Sequence, residues 1–285
     1  MAVALLFVIA LLTWVFLRLR PMLGQAHLRR LERFHASLAA DRHKVVVCMG
    51  DSLTHGNASF DSVHELARRL EPPGYTILNA GVNGELAWNL LQRVDAIVRA
   101  EPAYVVLLAG TNDARACESE WAARGYVRRM KLPQSPDEEF FRESYRMLLD
   151  ALAESECTRT ILVTLPPLGE RTGEPIDDVV AGMNTFIEQE AATRGIQCLP
   201  LHTALQDVLV AEEGDERPAY DAQRSERLAI KAIFQRYLLG WSWDRIVESN
   251  GMTLLTDMIH LGERGGCIAV DLVEAEIKGV PAVDC

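Results

Sequence analysis

Four short polar blocks in this chain carry side chains that could act on a carbonyl group. In chain order they contain Ser52, Gly84, Asn112 and the pair Asp257 and His260. A serine hydroxyl, an amide, and an imidazole beside a carboxylate are groups that nucleophilic acyl transfer uses. Each block alone says little, because the Gly-Asp-Ser of the first is equally typical of a turn or a helix N-cap. Their meaning depends on their order and on the elements that precede them.

Other catalytic and cofactor signatures are missing from the sequence. It contains no GxSxG elbow, no P-loop, no GxGxxG and no HExxH. The 6 cysteines are scattered, with no CxxC pair and no Cys/His cluster, so a structural zinc site is not expected. We therefore expect the chemistry to need neither a metal nor a cofactor.

The elements that must position the four blocks alternate along the chain from residue 44. Five apolar runs predict strands buried on both faces, and the stretches between them predict helices. Such alternation predicts a parallel sheet with helices on both sides, whose carboxyl edge is the usual place for a binding site. The long connections 114–136 and 210–252, the second with a helical pattern over 221–247, are expected to line the pocket. The predicted strands are 44–49, 75–79, 104–109, 160–165 and 196–199, and the predicted helices are 62–70, 85–100, 137–154 and 177–194.

In this setting the four blocks resemble those of the SGNH (GDSL) hydrolase family of esterases, lipases, thioesterases and carbohydrate deacetylases. The serine, glycine, asparagine and histidine for which the family is named match in type and in order, and the first three follow predicted strands. The resemblance covers residues 44–275. It implies a three-layer α/β/α sandwich with a flavodoxin-like parallel sheet of about five strands, in agreement with the alternation described above.

The resemblance also implies a role for each site residue. Ser52 would be the nucleophile that forms an acyl-enzyme, and His260 the base that takes its proton. Asp257 would orient the imidazole and stabilise its charged form. The oxyanion would be bound by the backbone N–H groups of Ser52 and Gly84 and by the side-chain amide of Asn112.

Four other polar residues near these blocks are expected to take no part in the reaction. Asp51 and Asp113 flank the site and are expected to bind loop backbone amides rather than to react. His55 and His202 are the rival bases, but His55 lies too close to Ser52 along the chain, and His202 has no aspartate at the family spacing.

The N-terminal segment is predicted to be a membrane anchor. Residues 2–17 are uncharged and almost wholly apolar, so residues 1–23 are interpreted as a single transmembrane helix and residues 24–43 as a polar connector helix. The hydrolase domain is predicted to span residues 44–285. Arginines that follow the apolar run favour a cytoplasmic catalytic domain. The alternative is a signal peptide cleaved after Ala26, which would place the domain in the periplasm or outside the cell.

Charge excludes one class of partner. A net charge of −11 gives the chain no field that attracts phosphate backbones, so we expect no nucleic-acid partner. The expected substrate is a small-molecule or lipid ester that the anchor brings near. A carbohydrate O-acetyl ester is the alternative, and a catalytically silent, membrane-tethered binding domain is the third hypothesis. Acyl-chain length, the alcohol moiety and the oligomeric state are left open by the sequence.

Overall fold

A computed structural model describes residues 44–212 and 217–279, together with Thr13, Val15 and Leu17. Within these ranges, short strands alternate with helices, as the sequence predicts. The strands are β1 (Val45–Gly50), β2 (Thr76–Gly81), β3 (Tyr104–Leu108), β4 (Arg159–Val163) and β5 (Gln197–Leu199). The helices are α1 (Ser52–His55), α2 (Ser62–Leu70), α3 (Ala87–Leu91), α4 (Val94–Val98), α5 (Thr111–Cys117), α6 (Glu120–Met130), α7 (Glu138–Leu152), α8 (Pro175–Arg194), α9 (Leu201–Ala211), α10 (Ala222–Tyr237), α11 (Trp243–Ser249) and α12 (Glu263–Gly279).

The five strands form one parallel sheet in the order β2-β1-β3-β4-β5. Gly50, the last residue of β1, is in register with Gly81 of β2 and with Leu108 of β3. The connection from β1 to β2 and the connection from β2 to β3 cover opposite faces of the sheet, so the carboxyl ends of β1, β2 and β3 border the crevice at this switch point. Ser52, Gly84 and Asn112 follow these three strand ends and are therefore brought to one edge.

Helices cover both faces of the sheet, which makes three layers. Alternate residues of β1 belong to different apolar clusters: Val45, Val47 and Met49 pack with α3, α4, α7 and α8, whereas Val46 and Cys48 pack with α2, α9 and α12. All six residues of β1 are buried. This explains why its sequence is a continuous apolar run rather than an alternating one.

One predicted element differs from the observed structure. The helix predicted over 85–100 is wrong as a continuous element, because the chain forms α3 and α4 with a break at Arg93, whose φ is −126° and ψ is 7°. The Arg93 guanidinium donates hydrogen bonds to the carbonyl oxygens of Gly50 and Ala80 at 3.3 and 2.7 Å. It also donates to the Glu85 carboxylate at 2.8 Å. This binding at the strand ends favours the break over a regular helix.

The two long connections contain helices. The connection 114–136 includes α6, which begins where the Ser119 hydroxyl accepts a hydrogen bond from the Ala122 N–H at 3.2 Å. The connection 210–252 contains α10 and α11, where its sequence shows a helical pattern. Observed strand boundaries differ from the predicted ones by at most two residues.

The predicted membrane span, 1–23, and the connector, 24–43, lie outside the described residues apart from Thr13, Val15 and Leu17. In the part of the chain that the structure describes, no helix combines the length and the apolar character needed to cross a bilayer.

Candidate active site

Ser52 is held at the sheet edge by the tight junction between β1 and α1. Asp51 caps α1 by accepting a hydrogen bond from the Leu53 N–H at 2.9 Å. Gly50 is needed because a Cβ there would lie 2.2 Å from the Thr54 hydroxyl oxygen and 2.4 Å from the Leu108 carbonyl oxygen. The chain can therefore turn sharply after β1 and present the first residue of α1 at the crevice.

Asp257 and His260 are joined by a compact loop in which the carboxylate serves both the backbone and the imidazole. Asp257 is fully buried. Its Oδ1 accepts hydrogen bonds from the Ile259 and His260 N–H groups at 3.1 and 2.8 Å, and its Oδ2 lies 2.7 Å from His260 Nδ1. The spacing of three residues lets one carboxylate close the turn and bind the ring that the turn presents.

The structure brings Ser52 and His260 together although 208 positions separate them. The distance between His260 Nε2 and Ser52 Oγ is 2.8 Å. Because Asp257 accepts at Nδ1, that nitrogen carries the proton and Nε2 is left to accept from the serine hydroxyl. The three side chains form one hydrogen-bonded chain that can carry a proton away from Ser52 Oγ.

The pKa of His260 is raised above the ordinary histidine value. Burial of the ring acts in the opposite direction and is the largest single influence. It is outweighed by the Asp257 charge and hydrogen bond, with a further contribution from the Asp51 carboxylate, while the Arg115 charge lowers the pKa. The site therefore favours the imidazolium that forms when Ser52 loses its proton.

Two backbone N–H groups that the sequence predicts to bind the oxyanion are not used within the described part of the protein. In the described part of the chain, neither the Ser52 N–H nor the Gly84 N–H is bonded to another protein group. Gly84 has a φ of +80°, a conformation that favours glycine, and a Cβ there would lie 3.3 Å from Met130 Sδ. Both N–H groups are thus available to a ligand.

The Asn112 side-chain amide is hydrogen-bonded to other protein groups at both ends. Its Nδ2 donates to Asp51 Oδ2 at 3.2 Å and to the Glu85 carbonyl at 3.0 Å, while its Oδ1 accepts from the Tyr126 hydroxyl at 2.8 Å. Both N–H bonds of the amide are therefore used within the protein. Donation to an oxyanion requires that Asn112 release or share one of these bonds.

The two flanking aspartates are buried and accept backbone N–H groups. Asp51 binds the Leu53 N–H, as described above, and Asp113 Oδ2 accepts from the Ala87 N–H at 3.1 Å. Burial raises the pKa of Asp51 to about 6 and that of Asp113 to about 7. The charge of Asp51 contributes to the raised pKa of Asp113.

Two contacts of the site could not be read from its motifs. The Tyr126 hydroxyl, on α6, accepts from Arg115 Nη1 at 3.1 Å and so links that guanidinium to Asn112. Arg115 lies one helical turn after Asn112, a spacing that places both on one face of α5.

The rival base His202 has its Nδ1 3.1 Å from the Leu165 carbonyl oxygen. Within the described ranges, no group of three or more His, Cys, Asp or Glu side chains could hold a metal ion.

Comparison with known protein families gives a match over most of the chain. Residues 48–265 match the sequence profile of the GDSL-like lipase/acylhydrolase family. No protein of curated function shows significant sequence similarity to the chain.

Solved structures with the same fold include two kinds of esterase. A GDSL-like lipase from Bacteroides thetaiotaomicron superposes with a TM-score of 0.56 at 17% identity, over 88% of this chain and 97% of that chain. An acetylxylan esterase from Geobacillus stearothermophilus gives a TM-score of 0.56 at 16% identity, over 85% of this chain and 96% of that chain. A further acetyl xylan esterase gives 0.54 at 16% identity, with coverages of 82% and 99%. These likenesses show the fold, and the profile match over most of the chain shows the family. The chain belongs to the GDSL-like lipase/acylhydrolase family and is an ester-hydrolysing enzyme.

Proposed function

We propose that the protein is a serine carboxylesterase in which Ser52 attacks the ester, His260 transfers protons and Asp257 orients His260. One observation carries the proposal. Asp257 Oδ2 lies 2.7 Å from His260 Nδ1, and His260 Nε2 lies 2.8 Å from Ser52 Oγ. Both distances are those of good hydrogen bonds, in the order that activates a serine.

Acylation begins when His260 Nε2 takes the proton of the Ser52 hydroxyl as Oγ attacks the ester carbonyl. The carbonyl oxygen becomes an oxyanion, which the backbone N–H groups of Ser52 and Gly84 stabilise. When the tetrahedral intermediate collapses, the bond to the alkoxy oxygen breaks. The imidazolium returns its proton to the leaving alcohol, and the acyl group stays on Ser52 Oγ.

Deacylation repeats these steps with water. His260 Nε2 takes a proton from a water molecule, which attacks the acyl carbonyl. The second tetrahedral intermediate expels Ser52 Oγ, which recovers the proton from His260, and the carboxylic acid leaves. The Asp257 carboxylate compensates the charge of the imidazolium in both halves of the reaction.

Asn112 is proposed as the third oxyanion donor. Its Nδ2 bonds to Asp51 and to the Glu85 carbonyl in the substrate-free site, while Tyr126 holds the opposite end of the amide. The bond to Asp51, at 3.2 Å, is the longer of the two donated by Nδ2. We expect this donor to turn toward an oxyanion, because its bond to Asp51 is longer, and therefore weaker, than its bond to the Glu85 carbonyl.

We propose two candidate classes of ester substrate. A lipid or other acyl ester is proposed first, because the apolar run 2–17 would hold the enzyme near lipids. Carbohydrate O-acetyl esters are favoured by polar side chains around Gly84. Asn83 donates to the Asn57 side chain at 3.0 Å, and the Tyr237 hydroxyl donates to the Asn57 carbonyl at 2.6 Å. Acetylxylan esterases are also among the proteins that share the fold.

Hydrolysis of p-nitrophenyl esters of increasing acyl length by the full chain in detergent tests the reaction and separates the two classes. We expect turnover by the wild type and by Ser249→Ala, which alters an exposed serine on α11, and none by Ser52→Ala. A preference for acyl chains of eight carbons or more favours lipid esters. Activity confined to acetate, together with deacetylation of acetylated xylo-oligosaccharides, favours the carbohydrate class. Equal turnover by Ser52→Ala contradicts the proposal.

The location of the enzyme is a second proposal, supported by the sequence alone. We propose that residues 1–23 anchor it in a membrane with the catalytic domain in the cytoplasm, since arginines at 18 and 20 follow the apolar run. Full-length protein should stay with membranes during extraction at high salt and at alkaline pH. A mature chain that begins at His27 would show cleavage of a signal peptide and a location outside the cytoplasm.

A further inference from the structure

Glu170 is a buried carboxylate that takes no part in the proton transfers described above. It lies in the loop between β4 and α8, and its side chain is only 1% exposed. Its Oε1 accepts hydrogen bonds from the Leu254 and Leu255 N–H groups at 2.6 and 2.7 Å, and its Oε2 accepts from the Thr253 N–H at 2.7 Å. Three short bonds from successive backbone amides hold one carboxylate.

The segment bound by Glu170 is the base of the loop that carries Asp257 and His260. The loop closes where Leu255 and Leu261 pair in an antiparallel bridge. The Thr256 N–H donates to the His260 carbonyl at 2.7 Å, and the Gly262 N–H donates to the Leu254 carbonyl at 2.7 Å. A displacement of residues 253–255 would therefore be transmitted to the imidazole at the tip.

The same loop is fixed at a second point by the residue next to Glu170. The Gly169 N–H donates to the Met258 carbonyl at 2.8 Å. Met258 has a φ of +74°, a left-handed conformation that a methionine rarely adopts. A strained residue of this kind persists only where the surrounding structure determines it, and Met258 lies between Asp257 and His260.

We propose that Glu170 is a positioning residue for ester hydrolysis: its carboxylate fixes residues 253–255 so that His260 Nε2 stays within hydrogen-bonding distance of Ser52 Oγ. The inference rests on the proposed roles of Ser52 and His260. The charged group that faces Glu170 is Arg217, whose Nε is 3.9 Å from Oε2. That distance is longer than a hydrogen bond, so the backbone amides are the closest partners of the carboxylate.

Glu170→Gln tests the proposal with almost no change in volume. The amide keeps one acceptor oxygen for Leu254 and Leu255 but turns an NH2 group toward the Thr253 N–H, so that two donors face each other. We expect kcat to fall about a hundredfold while KM stays within about threefold, because a shift of about 1 Å in a catalytic group can cost that much. Circular dichroism measures the folded fraction of each variant, and kcat is calculated from the concentration of folded enzyme.

Asp177→Asn is the matched control. Asp177 Oδ2 also accepts two backbone N–H groups, from Gly173 and Glu174 at 2.8 and 3.0 Å, but these belong to the start of α8 and not to the loop of His260. This variant should lose stability without a loss of kcat. If Glu170→Gln fails to fold, Glu170→Asp keeps the charge, shortens the side chain, and should still lower kcat more than Asp177→Asn does.

A proton NMR signal distinguishes failure of this inference from failure of the proposed function. The proton between His260 Nδ1 and Asp257 should give a low-field resonance in the wild type, and the signal needs no substrate. We expect it to broaden or shift in Glu170→Gln and to be unchanged in Asp177→Asn. A lower melting temperature of Glu170→Gln with unchanged kcat and an unchanged low-field signal would overturn the positioning role. Absence of ester turnover in the wild type, with the signal altered in Glu170→Gln, would reject the proposed function alone.

Discussion

Replacement of Asp257 by asparagine puts a hydrogen-bond donor where the proposed triad has the acceptor for His260 Nδ1. The carboxylate accepts three hydrogen bonds: two at Oδ1 from the backbone of Ile259 and His260, and one at Oδ2 from His260 Nδ1. An asparagine that keeps its oxygen on the two backbone N–H groups turns its NH2 toward Nδ1. His260 then has to carry its proton on Nε2, which faces Ser52 Oγ as a donor and can no longer accept the serine proton.

The expected cost follows from the loss of the correct tautomer. Only the molecules in which His260 carries its proton on Nδ1 can activate Ser52. In addition, the variant has no carboxylate charge at position 257 to stabilise the imidazolium. Losses of about ten-thousandfold in kcat, or about 5 kcal/mol of transition-state stabilisation, are typical of this change in serine triads. The backbone turn should survive, because the amide oxygen still accepts from Ile259 and His260.

The pH profile of kcat/KM shows the direction in which the pKa of His260 changes. Ser52 is activated by neutral His260, so kcat/KM should rise with pH through the pKa of His260. In the wild type that step should lie above the ordinary histidine value, because Asp257 and Asp51 outweigh burial. Without the Asp257 charge, the pKa of His260 falls, and the residual activity of Asp257→Asn should titrate at lower pH than the wild type.

The assay is hydrolysis of a p-nitrophenyl ester from pH 5 to pH 9, with corrections for the ionisation of the product. Asp271→Asn provides the control, because Asp271 is an exposed carboxylate on α12 that binds Arg69. A loss of less than about tenfold in Asp257→Asn, or an unchanged position of the pH step, would refute the orienting role of Asp257.

Three other variants probe the surroundings of the triad. Asn112→Ala should lower kcat about a hundredfold without moving the pH step, since the amide acts on the oxyanion, and a shifted step would contradict that role. Arg115→Met should move the pH step of kcat/KM upward, opposite to Asp257→Asn, because the Arg115 charge lowers the pKa of His260. The free energy of unfolding of Asp113→Asn, measured with urea, should fall less between pH 4 and pH 7 than that of the wild type. The folded-state pKa of Asp113 is raised from 3.8 to about 7, so the unfolded chain ionises first as the pH rises, and the wild type loses up to about 4 kcal/mol in this range. Parallel pH profiles of the Asp113→Asn and wild-type stabilities would contradict this account.

The sequence predicts the edge of the sheet at which the site forms. Ser52, Gly84 and Asn112 each follow a strand, and in a parallel sheet all carboxyl ends of strands lie on one side. His260 follows no strand, so its place beside Ser52 could be expected only from the resemblance of the Asp-x-x-His block. The switch point at β1 then accounts for the meeting of the first three blocks.

Contacts made by long side chains could not be predicted from the chain pattern. Arg93 breaks the helix expected over 85–100 by binding carbonyl oxygens at the ends of β1 and β2. Tyr126 reaches Asn112 from a helix inside a connection that has no strand pattern. Glu170 binds backbone amides more than 80 positions away. Backbone amides are present at every residue except proline, so no residue type in the sequence marks the partners of Glu170.

The most direct test of the central claim is to identify the residue that carries the covalent intermediate. Full-length enzyme is treated with a fluorophosphonate probe, digested and analysed by mass spectrometry. Ser52 Oγ is the hydroxyl oxygen that His260 Nε2 faces at 2.8 Å, so we predict a single adduct on Ser52. Labelling should be lost in Ser52→Ala and strongly slowed in His260→Ala. An adduct on a different serine, or full labelling of Ser52→Ala, would contradict the account.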